Sequence, residues 1–128
     1  MFKLSKRSLK HLEGVEPVLI DIVKEAIKDS PYDFGIPITG GLRTAEQQQS
    51  LYYKDLSKCD GYIKKSYHQT GKAFDIYGYV YGKATWDKHI LTKIARHIQK
   101  VAYDVFCVNL VWGGDWISFK DMPHFQIK

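Results

Sequence analysis

The sequence predicts a single globular domain of the α+β class, and three observations support this prediction. A length of 128 residues allows one modest hydrophobic core and is too short for two. Hydrophobic residues make up 45% of the chain, which is typical of a globular protein and not of a disordered one. Segments with helical periodicity and segments with strand-like alternation follow one another irregularly, which favours α+β over a doubly wound parallel sheet.

A helix and an edge strand are predicted before residue 40. Apolar residues recur at helical spacing from Val15 to Lys28, Pro17 suits the first turn, and Ser30-Pro31 ends the helix. A short strand is predicted from Phe34 to Thr39, where Pro37 suits an edge position.

The next helix has a clear start signal. Thr44-Ala45-Glu46-Gln47 matches a capping box, in which the threonine and glutamine side chains cap each other's backbone. The helix is predicted to run to about Leu56. A loop rich in Lys, Gly, Ser and Asp is predicted from Ser57 to Gln69. Arg43 therefore lies directly before a helix start, at a junction of strand and helix.

Three strands and a long helix are predicted in the second half of the chain. The segment from Lys72 to Val80 alternates as a strand does. Thr85 is the expected N-cap of a helix from Trp86 to Phe106, which carries an apolar stripe. Further strands are predicted at Val108–Trp112 and His124–Ile127.

Charge and composition exclude several classes of function. The net charge is +5, which forms either a solvated surface or a site of attraction to a polyanion. The sequence carries no signature of a nucleic-acid-binding module, so we expect no nucleic acid partner. No apolar run approaches the roughly 18 residues of a membrane span, and no apolar signal-peptide core follows the charged N-terminus. We therefore expect synthesis in the cytoplasm, no stable membrane insertion and, by default, a monomer.

Four residues in two segments supply the candidate chemistry. His68 and Asp75 lie in one segment, and Asp121 and His124 lie in another. Two histidines and one carboxylate suit a zinc ion that keeps an open position for water, and a spare carboxylate suits a general base. Because His68 and Asp75 are seven residues apart, the chain must turn between them if both bind one ion, and Gly71 can adopt the positive φ of such a turn.

The last strand decides whether these residues meet. His124 and Asp75 each lie on the polar face of their strands, so pairing of the two strands would let both reach His68. Pro123 interrupts the regular strand, so we expect Asp121 in the turn before it, near the ion without binding it. From this position Asp121 would take a proton from water and deliver it to the leaving amine.

Each of these residues also has an ordinary structural explanation. A histidine in a loop is usually polar surface, an aspartate on a strand often pairs with a basic side chain, and Asp121 alone could cap a turn. Arg43 is the candidate for stabilising the negative charge that develops on a substrate carbonyl. The alternatives for Arg43 are a surface cation or a structural ion pair.

Four sequence blocks together resemble a known family. Ser66-x-His68-x-x-Gly71-x-Ala73-x-Asp75 and Asp121-x-x-His124 are similar to motifs of the zinc peptidases of the D-Ala-D-Ala carboxypeptidase family. Gly41-Leu42-Arg43-Thr44 and Trp112-Gly113-Gly114-Asp115-Trp116 match two further blocks, and all four occur in family order. The small size most resembles the phage endolysins that are L-alanyl-D-glutamate endopeptidases.

The resemblance implies a fold, a site and a substrate. The fold would be the small α+β domain of the D-Ala-D-Ala peptidases and the hedgehog signalling domain, with a short antiparallel sheet flanked by helices. His68, Asp75 and His124 would hold one catalytic zinc ion, Asp121 would be the base, and Arg43 would stabilise the substrate carbonyl. The substrate would be the peptide stem of bacterial peptidoglycan. Residues 1–128 would form a single catalytic domain with no separate cell-wall-binding domain.

The resemblance also leaves alternatives to be distinguished. A phage endolysin released by a holin needs no signal peptide, so we expect action in the periplasm or cell wall after release. A D-Ala-D-Ala carboxypeptidase or dipeptidase of the same family would instead release free D-Ala. A zinc-containing binding module of the same fold would turn over no substrate and would not need Asp121 as a base. Many family members carry Glu where this chain has Asp121.

Overall fold

The computed structural model describes residues 1–127, which contain four α-helices and six short strands. The helices are α1 (Lys6–His11), α2 (Pro17–Lys28), α3 (Ala45–Tyr53) and α4 (Lys88–Phe106). The strands are β1 (Asp33–Gly35), β2 (Ala73–Asp75), β3 (Tyr77–Val80), β4 (Lys83–Thr85), β5 (Val111–Trp112) and β6 (His124–Gln126). Short 3-10 helices cover Tyr67–Thr70 and Gly113–Asp115.

Two small antiparallel sheets confirm the predicted α+β class. One sheet has the strand order β1-β3-β4, and the other has the order β2-β6-β5. Helices α2 and α4 pack against each other, and their apolar faces contribute much of a single hydrophobic core. In the described part of the chain, we find no helix with the length and apolar character needed to cross a membrane.

The β2-β6-β5 sheet sets the face on which the functional residues lie. Phe74 of β2 is opposite Phe125 of β6, and their stacked rings are fully buried with centroids 5.0 Å apart. The next pair in the same register is Asp75 opposite His124. Because neighbouring residues of a strand point to opposite faces, Asp75 and His124 lie on the face away from the phenylalanine pair. A register slip of one residue would bury the polar pair, so the core fixes the alignment of the two polar side chains.

The strand predicted from Lys72 to Val80 is in fact two strands that belong to different sheets. Ile76 separates β2 from β3, is fully buried, and donates its backbone N–H to the carbonyl of Pro123 at 3.0 Å. The chain therefore passes from one sheet to the other at this residue. The alternation of side chains continues through the crossing, so periodicity alone gave no sign of it.

Helix α4 begins later than the sequence predicted. Thr85, the expected N-cap, is the last residue of β4, a strand that the sequence analysis missed. Asp87 caps the helix instead, because its carboxylate accepts a hydrogen bond from the Ile90 N–H at 3.1 Å. Thr and Asp are both good N-caps, and two such residues lay two positions apart. The short helix α1 was also missed.

Other boundaries differ by a few residues. Helix α3 starts at the predicted capping box but ends at Tyr53 rather than Leu56, since Asp55 adopts a φ of 58° that a right-handed helix cannot continue through. Strand β1 ends at Gly35 rather than Thr39, because a turn closes with a hydrogen bond from the Gly40 N–H to the Pro37 carbonyl at 2.9 Å. Strands β5 and β6 are likewise shorter than predicted.

Candidate metal centre

His68 lies on a 3-10 helix whose start and end are both fixed by local chemistry. The hydroxyl of Ser66 accepts a hydrogen bond from the His68 N–H at 3.2 Å, which caps the start. Gly71 ends the helix with a φ of 73°, the left-handed conformation that favours glycine. This is the turn that the sequence analysis required between His68 and Asp75. As a result His68 lies against β2 and is almost fully buried.

Asp75 and His124 meet His68 at one point. The Nε2 atom of His68 lies 3.2 Å from Nδ1 of His124 and 3.2 Å from Oδ1 of Asp75. Nδ1 of His124 also lies 3.2 Å from Oδ1 of Asp75. The three atoms thus form a triangle with equal sides, in a group able to hold a metal ion. The structure brings together all three residues that the sequence predicted as ligands.

The dimensions of this triangle fit zinc. In a tetrahedral site with bonds of about 2.05 Å, ligand atoms lie about 3.3 Å apart. The three sides of 3.2 Å in this protein match one face of such a tetrahedron. Within residues 1–127, no fourth His, Cys, Asp or Glu joins the group. The three residues therefore have the number and spacing of ligands expected at a catalytic zinc site with one open position.

Hydrogen bonds at the far side of each imidazole set its orientation. Nδ1 of His68 lies 2.9 Å from the carbonyl oxygen of Gly41, to which it donates. Nε2 of His124 lies 2.8 Å from Oε1 of Gln126, to which it donates. With these nitrogens protonated, the opposite nitrogens carry lone pairs that point to the shared site. Two such lone pairs and an Asp75 oxygen at 3.2 Å repel one another unless a cation lies between them.

Arg43 holds the other oxygen of the Asp75 carboxylate. Its Nη2 donates to Oδ2 of Asp75 at 3.0 Å, and its Nε donates to the carbonyl of Thr39 at 2.7 Å. The side chain of Arg43 is only 9% exposed. The structural ion pair that the sequence left open for Arg43 is therefore present. It leaves Oδ1 of Asp75 free to face the two histidines, while the carbonyl-stabilising role of Arg43 stays a prediction.

The electrostatics of the centre favour a cation. Burial raises the pKa of the Asp75 carboxyl, but His68 and His124 lower it more through charge and hydrogen bonding, so the net pKa is well below its usual value. Burial lowers the pKa of His124, but the hydrogen bond and charge of Asp75 raise it above its usual value. Asp75 therefore stays ionised and attracts positive charge to the site, whether from a proton or from a metal ion.

Asp121 lies beside the centre without joining the ligand group. It is in the turn before β6, as predicted, and its backbone carbonyl accepts the His124 N–H at 3.1 Å. Asp121 is exposed as a residue, but nearby protein atoms desolvate its carboxyl and raise its pKa. The negative charge of Asp75 raises it further, against the opposing charges of the two histidines and Arg43. The carboxyl is thus close enough for the charges of the centre to change its pKa.

The sequence analysis missed several residues that shape this site. Gln126 orients His124, and Gln48 accepts a hydrogen bond from Nη1 of Arg43 at 3.0 Å. Trp116 places its ring centroid 5.4 Å from that of His124. The only available signal was that Gln126 shares a strand face with His124. Trp116 belongs to the family block Trp112–Trp116, but its sequence did not predict a contact with His124. Gln48 carried no signal, because its partners depend on loop conformation.

Comparisons with known proteins agree with this geometry. The family described as "Phage L-alanyl-D-glutamate peptidase" matches residues 1–126. This chain belongs to that family. Its resemblance to zinc peptidases of the D-Ala-D-Ala type, including the phage enzymes, is therefore confirmed at the level of the family.

Proteins similar to this chain come from a phage and from bacteria. The chain is 31% identical to the L-alanyl-D-glutamate peptidase of Escherichia phage T5, over 99% of this chain and 90% of the relative. It is 28% identical to the peptidoglycan L-alanyl-D-glutamate endopeptidase CwlK of Bacillus subtilis, over 84% of this chain and 68% of the relative. The crystal structure of the Serratia marcescens L-Ala D-Glu endopeptidase ChiX superposes with a TM-score of 0.86 at 28% identity, covering 99% of this chain and 90% of that one.

Proposed function

We propose that this chain is a zinc peptidase that cleaves the L-Ala–D-Glu bond in the peptide stem of bacterial peptidoglycan, as a phage endolysin. The main support is the 3.2 Å triangle of His68 Nε2, Asp75 Oδ1 and His124 Nδ1 in a member of the L-alanyl-D-glutamate peptidase family. The relatives from phage T5, B. subtilis and S. marcescens are named for the same bond.

The three ligand residues would hold one zinc ion through one atom each. When bound, zinc would act as a Lewis acid on the substrate carbonyl and lower the pKa of a water molecule to about 7. Gly41 and Gln126 keep the two imidazoles oriented for this, and Arg43 keeps Asp75 oriented. The protein thus contributes a rigid set of ligands, each held by a hydrogen bond from outside the site.

Asp121 would be the general base and then the general acid. It would accept a proton as the water oxygen bonds to the L-Ala carbonyl carbon. As the C–N bond breaks, it would transfer that proton to the nitrogen of D-Glu, which leaves as an amine. Its place in the turn before His124, outside the ligand triangle, supports this role.

Arg43 would have two roles. Its contacts to Asp75 and Thr39 hold the carboxylate ligand in place. A guanidinium carries five N–H donors, so donors beyond those used in these contacts remain for the negative charge that develops on the substrate carbonyl oxygen.

The biological setting follows from the same proposal. Residues 1–128 would act as a catalytic domain, as a monomer with one zinc ion. The protein would be made in the host cytoplasm and would act in the periplasm or cell wall after release. Bacterial peptidoglycan would be its partner, with no role for nucleic acid.

Digestion of purified peptidoglycan tests the reaction. The zinc-loaded protein should release stem peptides with a new N-terminal D-Glu, identified by mass spectrometry of the fragments. Release of free D-Ala instead would establish the carboxypeptidase alternative. Binding to the wall without any new fragments would establish the non-catalytic module.

A matched pair of variants tests the base. Asp121→Asn should lose turnover and keep zinc, while Asp115→Asn should keep both, since the Asp115 carboxylate pairs with Arg96 at 2.7 Å outside the centre. Full turnover by Asp121→Asn would remove Asp121 from the mechanism.

A further inference from the structure

Gln48 is a buried polar residue on a helix that otherwise contributes little to the core. It is 0% exposed, while every other side chain of α3 is half-buried or exposed. Burying an amide costs free energy unless all of its hydrogen bonds are made, and an apolar side chain would fill the same place without that requirement. The buried amide therefore calls for an explanation in terms of what it contacts.

Both ends of the Gln48 amide are hydrogen-bonded, and to different parts of the molecule. Its Oε1 accepts from Nη1 of Arg43 at 3.0 Å. Its Nε2 donates to the hydroxyl of Ser57 at 2.7 Å and to the carbonyl of Cys59 at 2.8 Å. A single side chain thus joins a cation of the metal centre to the loop of residues 57–66.

The Arg43 end of this connection leads directly to the metal ligands. Arg43 donates to Oδ2 of Asp75 at 3.0 Å, and Oδ1 of Asp75 forms one corner of the ligand triangle. The guanidinium is planar, so a contact that fixes Nη1 also fixes the direction of Nη2. Gln48 therefore limits the angle at which Arg43 meets the carboxylate ligand.

The loop of residues 57–66, which Gln48 holds through its amide nitrogen, contacts two further segments of the site. Lys58 places its Nζ 4.9 Å from the ring centroid of Phe119, in the segment that leads to Asp121. The side-chain amide of Gln69, next to His68, donates to the carbonyl of Gly61 at 2.8 Å. The loop therefore touches both the segment that carries the proposed base and the 3-10 helix that carries a ligand.

We propose that Gln48 is a positioning residue that sets the carboxylate ligand through Arg43 and, with its amide, fixes the 57–66 loop as a wall of the substrate site. The assignment to a substrate wall rests on the proposed function. The role of Gln48 in positioning Asp75 does not rest on the proposed function, because it concerns only how tightly the centre binds zinc.

Two substitutions at Gln48 separate its contact with Arg43 from its contacts with the loop. Gln48→Met removes both, and the dissociation constant for zinc, measured by competition with a chelator, should rise about 10- to 100-fold, as for other partners of metal ligands. Gln48→Glu keeps an acceptor for Arg43 and loses the amide donors. Its zinc affinity should stay within about threefold of the wild type, which is a much smaller change than the 10- to 100-fold loss expected when a partner of a metal ligand is removed. Its KM for a stem peptide should rise while kcat changes little.

Two further variants serve as a partial deletion and a control. Ser57→Ala removes one of the two loop contacts of Gln48 and keeps its contact with Arg43, so it should raise KM in the same direction as Gln48→Glu and leave zinc affinity unchanged. Gln49→Met makes the same chemical change at the neighbouring residue, which makes none of these contacts, and should match the wild type in both measurements. If Gln48→Met does not fold, Gln48→Glu and Ser57→Ala still carry the test.

The outcomes distinguish this inference from a purely structural role and from the proposed function. A lower melting temperature for Gln48→Met with unchanged zinc affinity would overturn the positioning role. Weak zinc binding by Gln48→Glu, or unchanged KM in both Gln48→Glu and Ser57→Ala, would also overturn it. A wild type that binds zinc but leaves stem peptides intact would refute the proposed function, while the zinc affinities would still decide the role of Gln48 toward Arg43.

Discussion

A methyl group added at Gly113 would collide with the segment that carries Asp121. A Cβ atom built at Gly113 would lie 2.3 Å from the backbone oxygen of Asp121 and 3.0 Å from its Cβ atom. Carbon and oxygen atoms in contact usually stay more than about 3 Å apart, so relief of the overlap requires a shift of roughly 1 Å. The φ of Gly113 is not in the left-handed region, so the effect of Gly113→Ala is steric and not conformational.

The size of the expected effect follows from that shift. A misplacement of about 1 Å in a catalytic group costs roughly 100-fold in rate, which corresponds to about 2.7 kcal/mol in the activation free energy. Overpacking of this kind also lowers the free energy of unfolding by about 1–3 kcal/mol. Zinc affinity should change little, because pairing with β2 and β5 holds His124 in register.

The assay measures turnover and metal binding separately on the same preparation. Gly113→Ala should show kcat for a stem peptide reduced about 100-fold, with a zinc dissociation constant close to that of the wild type. Asp121→Asn is the reference for complete loss of the base. Wild-type turnover in a folded Gly113→Ala protein would refute the placement of Asp121, and loss of zinc in place of turnover would show that the segment positions His124 instead.

Four further changes probe the centre and its surroundings. Chelation of zinc should lower the melting temperature of the wild type and leave that of His68→Ala unchanged, since a bound ion stabilises only the protein that holds it. Asp121→Asn should lose about 10²- to 10⁴-fold in kcat, the range for general acid–base groups, with zinc content unchanged by elemental analysis. Gln126→Leu should weaken zinc binding about 10- to 100-fold in chelator competition, because His124 loses the acceptor that orients it. Backbone N–H groups of residues 62–64 lower the pKa of Asp60, so its support of the loop is present above the usual pKa of Asp and is lost as the pH falls through the lowered value. The protection factors of the loop amides, which correct for the pH dependence of intrinsic exchange, should therefore fall at that pH in the wild type but not in Asp60→Ala.

The convergence of the three candidate ligands could be predicted because few residues were needed and each had a distinctive type. His68, Asp75 and His124 stood out by chemistry, and strand faces plus one glycine turn were enough to bring them together. The pairing of Asp75 with His124 spans 49 residues of sequence, and the sequence supplied only the condition that their strands be neighbours. The structure meets that condition through β2 and β6.

The parts that sequence reasoning missed depend on contacts between distant segments. Arg43 pairs with Asp75 across 32 residues, so nothing local to Arg43 distinguished a carbonyl-stabilising group from an ion pair. Gln48 lies in a run of three glutamines, of which only the middle one is buried. The alternation of side chains continues across Ile76, so two strands of different sheets were predicted as a single strand. In each case the local sequence was compatible with two structures, and contacts between distant segments determined which of them formed.

The two aspartates of the centre are chemically identical and differ only in their surroundings. Asp75 is held on one side by Arg43 and faced on the other by two histidines, which keep its pKa low and its oxygen available as a ligand. Asp121 lies outside that triangle, where desolvation and the charge of Asp75 raise its pKa above the usual value of an aspartate. Under the proposed function, this difference in pKa would separate the roles of the two carboxyls, with Asp75 as a permanent anion and Asp121 as the acid–base group. An Arg43→Met substitution should therefore affect the Asp75 carboxylate more than that of Asp121. Asp75 loses a direct ion pair, whereas Asp121 loses only a more distant charge.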